Sequence, residues 1–583
     1  MRVPPGKSTS DLSHPIPTAA ETARARSYPS EGGLSRQQLA AYAAVAVGAA
    51  AVLVRLFDFL RAPSLWIDEL LLSLNLAIRD FRGLLEPLDL EQSAAILFLW
   101  AERLAVRVAG VGERALRFVP FAASVAMFPL SWRLFKRFLE PWPAVLALVL
   151  LAISPPVLRY ANEAKQYGID ASMALALLVA TLPLIDGRET AGRWLLLIGA
   201  GLIGIAFSMP AVFVLAGICV ALALRPSGRA RDVPWLVAAA VLWGGTFVGF
   251  YLKFYARTAS DPYMLAYWFG SYLDSQPGLG RKLLYVGRGL MEPLFTLDFQ
   301  LPAILFAADC LLAATGLWAL VKRQGALIAA LFVVPLALAI AASAIEKWVL
   351  AVRFMLWTAP IIALFVASGV WRLCAVLGPR QREKGLAVVG AALLLVPARS
   401  SFYYLRHERH ESQREAVQET LRVLRPGDVI YVFAKALPGW TFYTTDWHSP
   451  DQTRVNRLLQ VMQSIGPNSG NTASRGHPVH EEGFEYRYPW RGATELYGIA
   501  DGIFNRFTPV PTSVDPGWAE NEVSRIREAT TTSAWILTSG QNESSLAALL
   551  AAAAAAGAPP VQVWSGPQPW KVKSYLYRLQ FKR

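Results

Sequence analysis

Residues 38–69 read QLAAYAAVAVGAAAVLVRLFDFLRAPSLWIDE. As far as residue 57 the stretch is almost continuously apolar, about 20 residues, which is the length that crosses a bilayer as a helix. Shortly afterwards comes Trp66-Ile67-Asp68-Glu69. Two adjacent carboxylates just outside a membrane span, beside an interfacial tryptophan, are a costly placement unless something uses them. The alternative is that Asp68 caps a helix starting near Leu70, with Glu69 favourable in its first turn.

The first run has many successors. Further apolar runs lie at about 115–135, 141–158, 169–185, 192–207, 210–224, 233–255, 300–320, 326–345, 355–373 and 385–399. With 54% hydrophobic and only 17% charged residues in a chain of 583, this is the pattern of a polytopic α-helical membrane protein. The net charge of +14 does not point to nucleic acid, because the cations sit in short loops between apolar runs. Cys219, Cys310 and Cys374 fall in or beside those runs and have neither disulfide nor metal-ligand spacing. Residues 1–36 are polar, rich in Ser, Pro and Arg, and read as a disordered cytoplasmic tail ahead of a signal anchor.

The run at 90–108 carries Glu91, Glu102, Arg103 and Arg107, and positive-inside bias decides its place. If it does not cross, Arg133/Lys136/Arg137, Arg188/Arg193, Arg225/Arg229/Arg231, Lys322/Arg323 and Arg380/Arg382/Lys384 all face the cytoplasm. It is therefore read as an amphipathic helix in the outer interface, leaving about eleven spans. A membrane domain over 37–400 then exposes outer loops 58–114, 159–168, 256–299 and 346–354. Residues 401–583 form a non-cytoplasmic domain on the same side. There Arg414–Arg425 has helical spacing, and Val429–Phe433, Ala534–Thr538, Val561–Trp564 and Ser574–Phe581 read as strands. With an alanine-rich helix at Ser544–Ala556, this predicts a small α/β domain. The middle, 447–520, reads as long loops.

Besides Asp68 and Glu69, three outer groups carry possible chemistry. Glu163, Lys165 and Tyr167 lie in Tyr160-Ala161-Asn162-Glu163-Ala164-Lys165-Gln166-Tyr167, whose bland reading is interface anchoring. Arg353-Phe354, with Lys347 before it, is either a snorkelling boundary arginine or a lipid-phosphate fork. The 256–299 loop sets Tyr263, Tyr267, Trp268 and Tyr272 near Arg281, Lys282 and Arg288, a mixture suited to a sugar, a phosphate or a headgroup layer. Asp309 stands alone in the middle of a span and reads as a structural hydrogen-bond former.

In this order the parts resemble the GT-C membrane glycosyltransferases, in the branch of protein O-mannosyltransferases and aminoarabinose–lipid A transferases. The resemblance runs over about 38–400. It is carried by Trp66 to Glu69, by Ala115-Leu116-Arg117-Phe118-Val119-Pro120, by Ser154, Pro155, Tyr160, Glu163, Ala164, Lys165 and Tyr167, and by Arg353-Phe354. Lys165 stands where that family usually has arginine, and Phe354 where it has tyrosine. The resemblance implies an inverting transferase taking a sugar from a polyprenyl phosphate to a hydroxyl of a lipid, glycan or protein. Asp68 would be the base with Glu69 in support, and Arg353, Lys165 and Lys347 would hold the leaving phosphate. Glu163, Tyr167, Tyr263 and Trp268 would be supporting residues. Asp68 and Glu163 are the candidate ligands should a divalent metal take part. Localisation would be a bacterial inner membrane, with the N-terminus cytoplasmic and the C-terminal domain periplasmic. The rival classes are a lipid or lipid-linked-sugar transporter and a silent receptor subunit. The absence of an internal repeat and the gathering of polar residues at one face both speak for interfacial chemistry.

Overall fold

The computed structural model describes residues 34–225, 229–297, 302–407, 411–464, 487–497, 517–540, 543–566 and 574–581. The first helix, Arg36–Arg61, opens on a reciprocal cap. The Ser35 hydroxyl accepts from the Gln38 amide at 3.2 Å, and the Gln38 side chain accepts from the Ser35 amide at 2.8 Å. Among the described residues eight helices are long and apolar enough to cross a membrane. A ninth span forms if Pro141–Ile153 and Pro155–Asn162, bent by 58°, count as one. The bend follows from Pro155 and Pro156, which cannot extend the helical ladder, and from Ser154, whose hydroxyl accepts from Val157 N at 3.3 Å and starts a new helix.

Ala191–Phe207 and Ala211–Ala223 fall on two further apolar runs but are only 17 and 13 residues long. All eleven runs are thus helical, while eight have full spanning length. The chain is a membrane protein, built mostly of apolar helices. At its centre Ala303–Gln324 and Ala359–Leu373 meet through Gly316 and Gly369, where a Cβ on either glycine would strike the other helix's backbone. The Ser368 hydroxyl donates across the contact to Gly316 O at 3.2 Å.

The stretch read as one helix at 90–108 divides. Ile96–Ala109 is helical, with Glu102 buried and Leu104 and Val108 exposed. Residues 90–95 are irregular, and Leu90 and Glu91 adopt left-handed backbone at φ 62° and 54°. Side-chain bonds to the backbone outcompete the helix here. The Asn75 amide donates to Asp89 O at 3.1 Å and its carbonyl accepts from Asp89 N at 2.8 Å, while Arg79 holds the Asp89 carboxylate at 2.8 Å.

The last apolar helix, Arg382–His407, continues beyond residue 400. After it comes a six-stranded sheet: β1 (Val429–Val432), β2 (Arg487–Trp490), β3 (Ala493–Tyr497), β4 (Ala534–Ser539), β5 (Val561–Ser565) and β6 (Ser574–Leu579). The spatial order is β2-β3-β1-β4-β6-β5, with β1 parallel to both β3 and β4. β1 alternates strictly. Val429, Tyr431 and Phe433 pack with helices Trp518–Ala529 and Glu543–Ala555. Ile430 and Val432 join a second core with Ala416, Val417, Leu458 and Val461. That second core also contains Leu65, Leu70 and Leu74, so the sheet domain packs directly on the helix that follows Trp66.

Within 447–520 the expectation of loops is corrected by helix Gln452–Ser464 and by the β2–β3 hairpin. The hairpin closes on Arg491-Gly492, both at positive φ, as a two-residue turn matched to strand twist requires. Residues 465–486 and 498–516 of that stretch lie outside the described residues.

Candidate active site

Helix Ile67–Ile78 divides the two carboxylates between structure and cavity. Glu69, at the third helical position, turns back so that its Oε2 accepts from Trp66 N at 3.3 Å. Its Oε1 accepts from Ala164 N at 2.8 Å, and Arg117 grips both oxygens, Nε at 2.8 Å and Nη2 at 2.5 Å. Arg117 also donates to Pro63 O at 2.6 Å. Glu69, 1% exposed, therefore fastens three separate segments and does not line the cavity. It supplies the cap that was the alternative role for Asp68.

Asp68 faces the other way. Its Oδ2 accepts from Arg353 Nη1 at 2.6 Å, joining residues far apart in sequence. Arg353 lies between helices Val334–Ala344 and Ala359–Leu373. Its guanidinium sits over the rings of Trp268 (4.8 Å), Phe354 (5.5 Å) and Tyr167 (5.8 Å). Phe354 contacts Tyr167 and Trp268 edge-on, so its ring completes this box without needing a hydroxyl. Burial opposes the charge on Arg353, but nearby Tyr167 and Asp68 outweigh it and hold the group above its ordinary pKa.

The pair lines a cavity of about 340 Å³. Lys165, Lys347, Tyr167 and Trp268 share the wall, and Ile205, Val212, Phe213 and Phe247 make an apolar flank. Lys165 donates to the Gln92 side chain at 2.6 Å and Lys347 to Ala259 O at 3.2 Å. Burial lowers the Lys165 pKa, an effect that Asp68 partly opposes. Six of the nine expected site residues, Asp68, Lys165, Tyr167, Trp268, Lys347 and Arg353, meet here.

Glu163 does not line the cavity; it is buried behind it, with Arg159 Nε 3.6 Å from its carboxylate. Burial pushes its pKa up to about 7, against the pull of Arg159. Tyr263 falls on helix Pro262–Trp268, and its side chain lies outside the described residues. Asp309 is buried on Ala303–Gln324, away from the cavity wall. The proposed metal pair does not fit. Asp68 is held by Arg353 on the cavity side and Glu163 lies behind the wall, and no group of three His, Cys, Asp or Glu among the described residues is placed to hold an ion.

Sequence reasoning missed several contributors. Glu91 and Gln92 reach the cavity from the irregular segment before Ile96. Arg117 stands in the Ala115–Pro120 motif, and its position one turn into an apolar helix is the signal that marks it. Arg55, fully buried in the first span, donates to Ala152 O at 3.3 Å and lies over the Phe128 ring. The sheet domain also holds the segment leading into Asp68. The Tyr443 hydroxyl accepts from Leu65 N at 2.8 Å and the Glu411 carboxylate from Ile67 N at 3.1 Å. Arg414 N donates to the Ser64 hydroxyl at 3.0 Å and Arg414 Nη1 to Ala62 O at 2.9 Å.

Residues 93–248 match the family of dolichyl-phosphate-mannose-protein mannosyltransferases. The resemblance to GT-C membrane glycosyltransferases is borne out over that stretch, which holds Glu163, Lys165 and Tyr167 but neither Asp68 nor Arg353. No curated protein matches the chain. Among solved structures, ArnT from Cupriavidus metallidurans in the apo state aligns over 92% of this chain and 98% of its own, at 12% identity and a TM-score of 0.47. The same protein bound to undecaprenyl phosphate gives 92%, 97%, 12% and 0.46. The Archaeoglobus fulgidus oligosaccharyltransferase in the apo form aligns over 68% of this chain and 63% of its own, at 15% identity and a TM-score of 0.41.

Proposed function

We propose that the chain is an inverting glycosyltransferase that moves a hexosyl or pentosyl group from a polyprenyl phosphate to an acceptor hydroxyl of a lipid, glycan or protein. The observation that carries this reading is the Asp68–Arg353 ion pair at 2.6 Å on the wall of a cavity that also presents Lys165 and Lys347 beside an apolar flank. The Asp68 carboxylate, the three cations and the apolar wall suit a base, a lipid-linked phosphate and its isoprenoid, and Glu91 is a second carboxylate on that wall. The family matched over 93–248 is named for a donor of that kind.

In this scheme the acceptor oxygen attacks the anomeric carbon while Asp68 takes its proton. The bond from that carbon to the phosphate oxygen breaks, and its electron pair leaves with the polyprenyl phosphate. Arg353, with Lys165 and Lys347, offsets the charge that develops there. The donor phosphate and Asp68 compete for one guanidinium. Donor binding therefore draws Arg353 away from Asp68 and raises the carboxylate's basicity as the acceptor arrives. Glu69, Glu163, Tyr167 and Trp268 hold this arrangement without touching the reacting atoms.

The cavity end of the bundle faces the periplasm of a bacterial inner membrane, with eleven spans, the first 36 residues in the cytoplasm, and the sheet domain outside. Purified protein given polyprenyl-phosphate sugars and candidate acceptors should release polyprenyl phosphate. Movement of the intact lipid across a vesicle bilayer without release would identify a lipid carrier and contradict the transferase.

A further inference from the structure

Of the three cavity cations, Arg353 is paired with Asp68 and Lys347 donates to a backbone carbonyl, whereas Lys165 is held at its tip by a neutral side chain. Its Nζ donates to Gln92 Oε1 at 2.6 Å. The other end of the same amide is occupied too, because Gln92 Nε2 donates to Leu90 O at 3.0 Å. These two neighbours fix which way the amide faces. Reversed, it would set an NH2 against the ammonium and an oxygen against a carbonyl.

The local backbone is built around this contact. Gln92 follows two consecutive residues in left-handed conformation, Leu90 and Glu91, which cost energy when a side chain is present and persist only where the surroundings enforce them. The Leu90 side chain is buried in the core shared with the sheet domain, and Asn75 and Arg79 clamp Asp89 just before it. The turn thereby puts Gln92 on the cavity wall with Leu90 O in reach of its amide.

The chain on either side of Lys165 is fastened as well. Ala164 N donates to Glu69 Oε1 at 2.8 Å, and Gln166 Oε1 accepts from Ala95 N at 3.1 Å. These bonds leave only the long lysine stem to be fixed, and it has many rotamers to lose. Asp68, Glu163 and Glu69 attract the ammonium, and Arg353 repels it. A lysine free to swing would give its charge to Asp68, the proposed base. Gln92 removes that freedom with an acceptor that carries no charge, so the ammonium stays available to an anion.

We propose that Gln92 is a positioning residue that holds the Lys165 ammonium on the cavity wall for the phosphate of the donor lipid, an inference that rests on the donor reading above. The test measures binding of polyprenyl phosphate and of its methyl ester in nanodiscs. At about pH 8 the first carries close to two negative charges and the second carries one. The proteins compared are wild type, Gln92→Met, Gln92→Asn, Lys165→Met and the combined Gln92→Met/Lys165→Met variant. Gln92→Met should weaken the bare phosphate about tenfold and the methyl ester by less. Gln92→Asn, one methylene too short to span the gap, should do the same. Adding Gln92→Met to Lys165→Met should change nothing further, because the residue acts through the lysine. Wild-type affinity in both Gln92 variants would overturn the inference. So would an equal loss for the two lipids, or a loss that persists undiminished in Lys165→Met, since a bond that merely seals the turn gives either result. A wild type that binds no polyprenyl phosphate at all would overturn the donor reading itself, and the inference with it.

Discussion

Asp68 and Glu69 are neighbours in sequence, but one helical step sends them to different tasks. Glu69 is spent on Arg117, Trp66 and Ala164, and Asp68 meets Arg353 across the cavity. The motif was legible because paired carboxylates beside a span are costly. Arg353 was legible as a site residue, but its pairing with Asp68 and that of Arg117 with Glu69 were not, because these arginines belong to apolar helices and turns whose mutual rotation no spacing reveals. Glu163 allows a test at this scale. Burial raises its folded pKa to about 7, well above an ordinary glutamate. The unfolded chain therefore ionises it first as pH rises, and the folded state loses stability across roughly pH 4.5–7, with a constant penalty above. Glu163→Gln should accordingly match wild type in melting temperature near pH 4.5 and exceed it increasingly up to about pH 7. A difference that is flat with pH, or that grows toward acid, would show that Glu163 is charged and paired in the fold.

At the scale of elements, the segment 62–67 is held from outside the membrane helices. Tyr443, Glu411 and Arg414 of the sheet domain together bond to Ala62, Ser64, Leu65 and Ile67, the residues that aim Asp68. Placement of a base is worth large factors in rate. Tyr443→Phe combined with Glu411→Gln should therefore lower kcat by about tenfold while leaving KM for the donor close to wild type. A rise in KM with kcat intact would assign these bonds to donor binding instead. Four of the six strands were legible as short runs of β-branched and aromatic residues, and helices Gln413–Val423 and Glu543–Ala555 from helical spacing and alanine content. The hairpin at Arg487–Tyr497 was hidden by its aromatic and proline content, although Arg491-Gly492 between two short strand-like runs was the available signal. The irregular segment before Ile96 was hidden as well, because the bonds from Asn75 and Arg79 that shape it are not local in sequence.

For the whole molecule, one core runs from Leu65, Leu70 and Leu74 into Ile430, Val432 and Trp440, so the sheet domain and the cavity end of the bundle form one packed body. The polytopic helical class was legible from the apolar runs alone, since a bilayer demands a fixed length of apolar helix. The exact count was less so, because a proline pair bends one span and two others fall short of full length. The proposed orientation predicts that alkaline phosphatase fused after residue 583 is active in a bacterial host, whereas green fluorescent protein at the same site stays dark. The reverse pattern would place the cavity on the cytoplasmic side.

In the proposed reaction everything turns on Asp68 as the base. Release of polyprenyl phosphate by Asp68→Asn, measured beside donor-lipid binding to the same variant, tests it most directly. Turnover should fall by roughly 10²–10⁴-fold with donor affinity largely kept. A variant that turns over at the wild-type rate would remove Asp68 from the chemistry.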